Sequence, residues 1–396
     1  MDLHEYLCSH SLTLDDLTAS IEQAIQLNAG DVLFAAGSLV EGLGNGKSDL
    51  DVFLLTRRED ILLTSLNGLA LLVRGCLIDV RVVQMSEVEA LLDRFLRWAS
   101  QPRHPRNALG IAYDDRKFLH RLSSGEPLFG ETLLDTLRAR LKFGDLARHK
   151  LDCARFLAST IQIDLSGLYQ ARDFLSMPFA AQDLLGYTAD ALVAGYGSTN
   201  PNPKWRAREL DLLPDDWRDQ VPGCPAGLSA AQMFVELHRA PAELTASSVF
   251  RHASRIVKFS RGVFPGIEYK LFGPREAALP RLPALESRSP SEDPLPHLDF
   301  DVQVSFQNGH FEMWRLNTPA ILFELSPLGS SIVCLCDGES SKQETRSQAA
   351  RHAGEDNAAV VVDTICEAIE YGGFELEAPV DENALRDILD RRMVYK

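Results

Sequence analysis

Asp49 and Asp51 stand one residue apart at the head of the apolar run Leu50-Asp51-Val52-Phe53-Leu54-Leu55. A strand alternates its side chains between two faces, so a residue and its second neighbour project together. Two unpaired carboxylates on one face repel each other and are costly to bury. A divalent cation removes that conflict, and carboxylate oxygens with room for water and phosphate suit Mg²⁺. A third carboxylate is at hand in Leu77-Ile78-Asp79-Val80-Arg81-Val82-Val83, where Asp79 is flanked by apolar residues as Asp51 is. If the two strands pair, the three carboxylates converge.

Gly37-Ser38 supplies a second kind of contact. Glycine lets the backbone approach a phosphate closely, and a serine hydroxyl with adjacent N–H groups holds its oxygens, above all where a helix begins. Ser38 to Val40 is expected to open a short helix before a glycine-rich loop. Singly, each feature has an ordinary reading. Ser-Asp-Leu-Asp is common in calcium loops and turns, and a lone Asp79 suits a surface strand. The joint order is more specific: strand, Gly-Ser, spacer, Asp-x-Asp in an apolar strand, then an isolated aspartate in a later one.

Positioning these residues takes an α/β unit. Leu14, Leu17, Ile21 and Ile25 recur at helical spacing after Thr13, and Asn28-Ala29-Gly30 ends that helix. Strands are expected over Asp31–Ala36, Asp49–Thr56 and Leu77–Gln84, with a helix over Glu59–Val73. Ser86-Glu87-Val88-Glu89 matches a capping box that opens a helix as far as Trp98. From Leu134 onward long helical patterns dominate, which sets residues 131–275 apart as a helical domain. Residues 276–297, rich in proline, serine and charge, read as an exposed connector that few contacts cross. Beyond it, residues 298–396 hold a hairpin about Asn308-Gly309, a short strand in Ala320–Leu325, and a helix started by Ser326-Pro327 that runs toward Asp337-Gly338. Two further helices come next, the last stopping at Gly372-Gly373.

Composition narrows the classes. A chain of 396 residues holds two or three domains. Its net charge, 40 − 56 = −16, argues against nucleic acid as a partner. The 7 cysteines are odd in number and scattered, which indicates neither a zinc site nor a disulfide framework. Cys334 and Cys336 fall in an expected helix, where such neighbours do not face each other. No apolar run approaches the roughly 20 residues that span a bilayer. The acidic opening Met1–Asp16 lacks a secretory signal, so no membrane partner and a cytoplasmic location are expected.

Gly37, Ser38, Asp49, Asp51 and Asp79 together resemble the hallmark of the nucleotidyltransferase superfamily of DNA polymerase beta. The resemblance covers residues 10–130 and includes Ser123–Gly130, like the segment by which many small-molecule nucleotidyltransferases leave the catalytic domain. It implies an α/β (α+β) nucleotidyltransferase core over residues 1–130, followed by a helical-bundle domain. It implies that Asp49 and Asp51 hold two Mg²⁺ ions, that Asp79 binds the catalytic one and helps activate the acceptor, and that Gly37 and Ser38 bind ATP or another nucleoside triphosphate. The segment Asn200–Pro214 resembles a lysine-containing stretch of antibiotic nucleotidyltransferases, which implies that Lys204 meets the triphosphate, helped by Arg206 and Arg208. A lysine beside Trp205 also reads as a solvated charge next to a packed ring. Asp173, Asp183 and Asp190 read as an exposed helical face in preference to a cleft.

Residues 298–378 resemble the PqqD-type domain that recognises leader peptides of ribosomally made natural products. That implies a winged helix whose strand edge and third helix take an extended peptide. The other readings are a cap that only stabilises the chain and a DNA-binding winged helix, the latter disfavoured by acidity. The resemblances imply a Mg²⁺-dependent enzyme that moves a nucleoside monophosphate, AMP from ATP, onto a peptide or a peptide-linked natural-product intermediate and releases pyrophosphate. The alternatives are a small-molecule antibiotic nucleotidyltransferase of aminoglycoside or lincosamide type, and a non-catalytic peptide-binding protein. The complete aspartate set argues against the last.

Overall fold

The computed structural model describes residues 1–58, 68–224, 227–241, 243, 245–274, 279–280, 282, 293–318 and 321–379. Two compact units divide the chain, Met1–His149 with Thr199–Trp205, and Lys150–Ser198 with Arg206–Lys396. The architecture is mixed α/β, with one mixed sheet and one small antiparallel sheet. Among the described residues no helix is long and apolar enough to cross a membrane.

In the first unit, reciprocal capping boxes at Asp2 and Thr13 start α1 (Leu3–Ser9) and α2 (Leu14–Ala24). Strands β1 (Val32–Ala36), β2 (Leu50–Thr56), β3 (Gly68–Val73) and β4 (Cys76–Gln84) come next. Then come α3 (Met85–Ala99), α4 (Tyr113–Ser124), β5 (Glu126–Phe129) and α5 (Glu131–Arg138). The sheet order is β3-β4-β2-β1-β5. β2 and β4 are parallel, and the other pairs are antiparallel. One face buries Leu33, Ala35, Leu50, Val52, Leu54, Ile78 and Val80 against Leu7, Leu17 and Ile21 of α1 and α2. The period of two then sends Asp51, Phe53, Asp79 and Arg81 to the opposite face.

The fold corrects two expectations. The helix expected over Glu59–Val73 lies outside the described residues as far as residue 67, and its remainder is strand β3. Leu69 to Val73 alternate between half-buried and exposed, the pattern of a strand at the sheet's margin. A two-residue turn, Arg74-Gly75, joins β3 to β4, with φ of 48° and 83°. Such mirror-image turns match the twist of a hairpin. The capping box at Ser86 does not form either: α3 starts two residues earlier, with Gln84 in the N-cap position and no side-chain cap.

The second unit takes most of α6 (Phe143–Gln170), then α7 (Met177–Ala194), α8 (Arg206–Asp211), α9 (Ala230–His238) and α10 (Ala246–Phe272). Leu184, Leu185, Leu192, Val249, Ile256, Val263 and Phe264 form its main core. The small sheet comes after them, β6 (Val302–Gln307), β7 (His310–Arg315) and β8 (Ile321–Leu325), in that order. The hairpin about Asn308-Gly309 forms as its sequence dictates, with φ of 53° and 90°. Helices α11 (Pro327–Val333), α12 (Lys342–Ala353) and α13 (Glu355–Tyr371) complete the unit. Ser326 caps α11 by accepting from the Gly329 N–H. That helix is shorter than expected, so Cys334 and Cys336 lie just past it, buried and free.

Residues 276–278, 281 and 283–292 of the expected connector lie outside the described residues. Their polarity does not isolate the C-terminal sheet, because β6 is welded to the helices. An edge strand leaves alternate backbone groups unpaired, and burying them unpaired is costly. Arg261 of α10 donates to the carbonyls of Val302 and Leu298 at 3.0 and 3.1 Å, and also to that of Asp299. Arg155 of α6 donates to the Val304 carbonyl at 2.6 Å. The Glu268 carboxylate accepts the Phe306 N–H at 2.9 Å. Positions 302, 304 and 306 are thus each satisfied by a helix side chain. Burial drags the Arg261 guanidinium down to about 10, with Asp299 and Asp301 opposing the shift.

Arg261→Met should therefore cost about 3 kcal/mol, since it strands buried carbonyls. Denaturant unfolding of the full chain measures this. A loss near zero would show that the helices merely rest against β6. A second prediction concerns pH. Burial, and then the nearby Arg261 charge, lower the His297 imidazole from 6.5 to about 4, where its Nε2 meets the Ser254 hydroxyl at 2.8 Å. The unfolded chain thus takes up this proton first on acidification, so the contribution is intact above 6.5 and is lost as pH falls toward about 4. Wild type should lose stability across that window more steeply than His297→Gln, as read by melts at several pH values. Parallel curves would rule out His297 as the source.

Candidate functional site

The parallel register of β2 and β4 sets Asp51 directly beside Asp79. On the other side β1 sets Ala36 opposite Asp51, so the chain leaves β1 at Gly37 alongside the same carboxylate. Gly37 has φ +87°, and a Cβ there would lie 2.5 Å from Asp51 Oδ2. Both the left-handed backbone and the close approach require glycine. Asp49 lies one residue ahead of β2 and is exposed. It therefore does not share the strand conformation expected for it.

Guanidinium groups meet these carboxylates. Arg121 of α4 donates to Asp51 Oδ2 at 2.9 Å. Arg81, two residues past Asp79 on the same face, donates to Asp79 Oδ2 at 3.2 Å and stands 3.7 Å from Asp51 Oδ1. Phe53, between them on that face, has the Arg121 and Arg81 guanidiniums 5.3 and 6.0 Å from its ring centre. Burial raises the Asp51 carboxyl above its usual range, opposed by Arg121 and Arg81 and reinforced by Asp49 and Asp79. Burial also lowers the Lys117 ammonium, with Arg121 and Arg81 adding to the shift. The face is thus a close set of carboxylates ringed by cations.

The Gly-Ser loop stops short of the expected helix. It is a run of turns, in which the Glu41 N–H reaches the Gly37 carbonyl at 3.2 Å and the Leu43 N–H reaches the Ser38 carbonyl at 2.8 Å. The Ser38 side chain is half-buried. Thr199–Trp205 belongs to this same unit, and Lys204 sits on it. Its ammonium lies 4.6 Å from the Trp205 ring centre, the cation-over-ring arrangement of the ordinary reading, and the side chain is exposed. The suggested helper Arg206 belongs to the second unit, where Asp190 binds it bidentately at 2.9 and 2.7 Å. Asp190 is accordingly half-buried, not part of an exposed face, whereas Asp183 is exposed.

The donor set suits a hard divalent cation in its chemistry. Two carboxylates lie abreast, and the cation bridging them is the exposed Arg81 guanidinium. The close approach of Gly37 leaves Asp51 Oδ2 free of any side chain from that loop. Among the described residues no three His, Cys, Asp or Glu side chains are gathered closely enough to hold a metal. Asp49 is the member standing apart.

Sequence reasoning missed Arg81, Lys117 and Arg121. Arg81 was signalled by its spacing of two from Asp79. Lys117 and Arg121 lie four apart and so share one helix face. Neither protein-family models nor curated proteins show a match to this chain.

Gly37→Ala is expected to destabilise the first unit by about 2 kcal/mol, from left-handed strain plus displacement of Asp51. Gly42→Ala makes the control, because its φ is +72° but nothing lies within 4 Å of the added Cβ. It should cost about 1 kcal/mol. Equal losses in denaturant titrations would mean that contact with Asp51 carries no energy.

Proposed function

We propose that this chain is a Mg²⁺-dependent nucleotidyltransferase with a nucleotidyltransferase core. It transfers a nucleoside monophosphate, AMP from ATP, to an acceptor and releases pyrophosphate. The observation that carries the reading is the register of Asp51 beside Asp79 with Gly37 pressed against the same carboxylate. Asp51 and Asp79, joined by Asp49, would hold the two Mg²⁺ ions, whose chemistry is to stabilise the attacking and leaving oxygens of the displacement. Ser38 and the N–H groups of its turns hold phosphate oxygens. Lys204 serves as a point charge for the triphosphate. Arg121 fixes the Asp51 rotamer, and Asp79 accepts the proton of the attacking acceptor group.

A peptide or a peptide-linked intermediate is the proposed acceptor. What supports it is the small sheet of the C-terminal stretch, which we read as the winged helix of a PqqD-like domain. Side chains of α6 and α10 close the β6 edge, while β8 pairs with β7 on one side only among the described residues. Phe323 of β8 is exposed. An extended peptide adds to such an edge through backbone hydrogen bonds, with side-chain pockets giving selectivity.

Purified full-length chain with each α-labelled nucleoside triphosphate, Mg²⁺ and candidate peptides should yield a nucleotidylated product and pyrophosphate, read by mass spectrometry. Asp51→Asn and Asp79→Asn should each lower turnover by about a thousandfold or more, while melting stays within a few degrees of wild type. Near-normal turnover in both variants would refute the assignment. Modification of small hydroxylated molecules but never of peptides would move the acceptor to the small-molecule class.

A further inference from the structure

We infer that Glu41 is a positioning residue that sets the distance between the Gly-Ser loop and Lys204, and so fits the site to a polyphosphate. The inference rests on the nucleotidyltransferase reading. Glu41 lies within the turns that begin at Gly37-Ser38. Its Oε2 accepts the Asn200 Nδ2–H at 2.6 Å. Asn200 Oδ1 accepts the Asn202 N–H at 2.9 Å, and Asn202 Oδ1 accepts the Lys204 N–H at 3.2 Å. One chain of hydrogen bonds therefore runs from the candidate phosphate loop to the backbone of the candidate phosphate lysine. The two prolines at 201 and 203 stiffen the path by fixing φ.

The same Glu41 oxygen lies 3.1 Å from His120 Nε2, and His120 Nδ1 meets the Thr199 hydroxyl at 2.8 Å. His120 is the neighbour in α4 of Arg121, which holds Asp51. Glu41 thus joins three segments: two carry Ser38 and Lys204, the groups assigned to the donor nucleotide, and the third carries Arg121, which holds Asp51. His120, Thr199 and Asn200 are all buried and the Glu41 carboxylate is half-buried among them, so competition from water is reduced. None of these groups reaches outward to a ligand itself. Their placement gives a half-buried acid of this loop partners on two other segments.

The test compares full-length wild type, Glu41→Ala, Glu41→Gln and Asn200→Ala by hydrogen exchange and by kinetics. Exchange at the Asn202 and Lys204 amides should rise roughly tenfold in Glu41→Ala and Asn200→Ala. The KM for ATP should rise by a similar factor with kcat nearly kept, because an interaction used equally in ground and transition states is lost. Glu41→Gln still accepts from Asn200 and should recover most of both effects. Unchanged exchange at residues 202 and 204 would overturn the linkage. Raised exchange with unchanged KM would also overturn the proposal, leaving Glu41 a purely structural role. If wild type neither binds nor turns over any nucleoside triphosphate, the nucleotidyltransferase reading itself fails and takes the proposal with it. The wild-type arm identifies that case before any variant is compared.

Discussion

Two carboxylates cannot sit abreast in neighbouring parallel strands unless something positive meets them. Asp51 and Asp79 do sit so, in the middle of a sheet whose other face is closed by α1 and α2. Much of the first unit answers that constraint. β4 supplies Arg81 two residues past its own aspartate. α4 is placed so that Arg121 reaches Asp51. β1 ends in a glycine because any side chain there would collide with the carboxylate. Burial raises the Asp51 carboxyl despite both arginines, so the guanidiniums compensate only in part. Burial is the larger cause, and the neighbouring Asp49 and Asp79 carboxylates add to it.

The second unit solves a different problem with the same chemistry. Its small sheet has two edges, and they are treated unequally. At β6 the outward carbonyls and N–H are taken by Arg155, Arg261 and Glu268 from α6 and α10. Charged side chains are a costly way to close an edge, because each must be desolvated. What they give is register: a planar guanidinium accepts few arrangements of carbonyls. The C-terminal stretch is therefore held against the helices in one alignment, and among the described residues β8 pairs on one side only.

How much of this was legible in the sequence depended on the range of the interaction. Local chemistry read correctly. Thr13 caps α2, Asn308-Gly309 turns the hairpin, Ser326-Pro327 opens α11, and Gly372 ends α13. Failures came where local signals competed. The leucines of β3 suited a helix equally well, and Arg74-Gly75 is an unusual pair for a mirror-image turn. Ser86 looked like a cap, yet the sheet delivers the chain into α3 two residues earlier. The connector's composition suggests separation, but composition is silent on where Arg155 and Arg261 find their acceptors. Of the candidate site, the aspartates and Gly37 were visible because strand period and glycine geometry are local. The arginines were not, since Arg121 and Asp51 meet only through the fold.

Glu41 meets the same limit. In sequence it is one acidic residue in a loop, indistinguishable from a solvated charge. In the fold its single oxygen faces Asn200 and His120, from segments far apart in the chain. Loops that bind phosphate are commonly mobile, and a mobile loop loses affinity by having to be ordered each time. On the proposed reading, tying the loop through partly buried hydrogen bonds moves that ordering cost into folding, where it is met once. The unusual density of asparagine and proline between Thr199 and Lys204 then has a physical reason. Asparagine side chains bond to the backbone two residues ahead, and prolines remove the freedom that would let those bonds fray. On the proposed reading, that anchoring is what fixes where Lys204 stands.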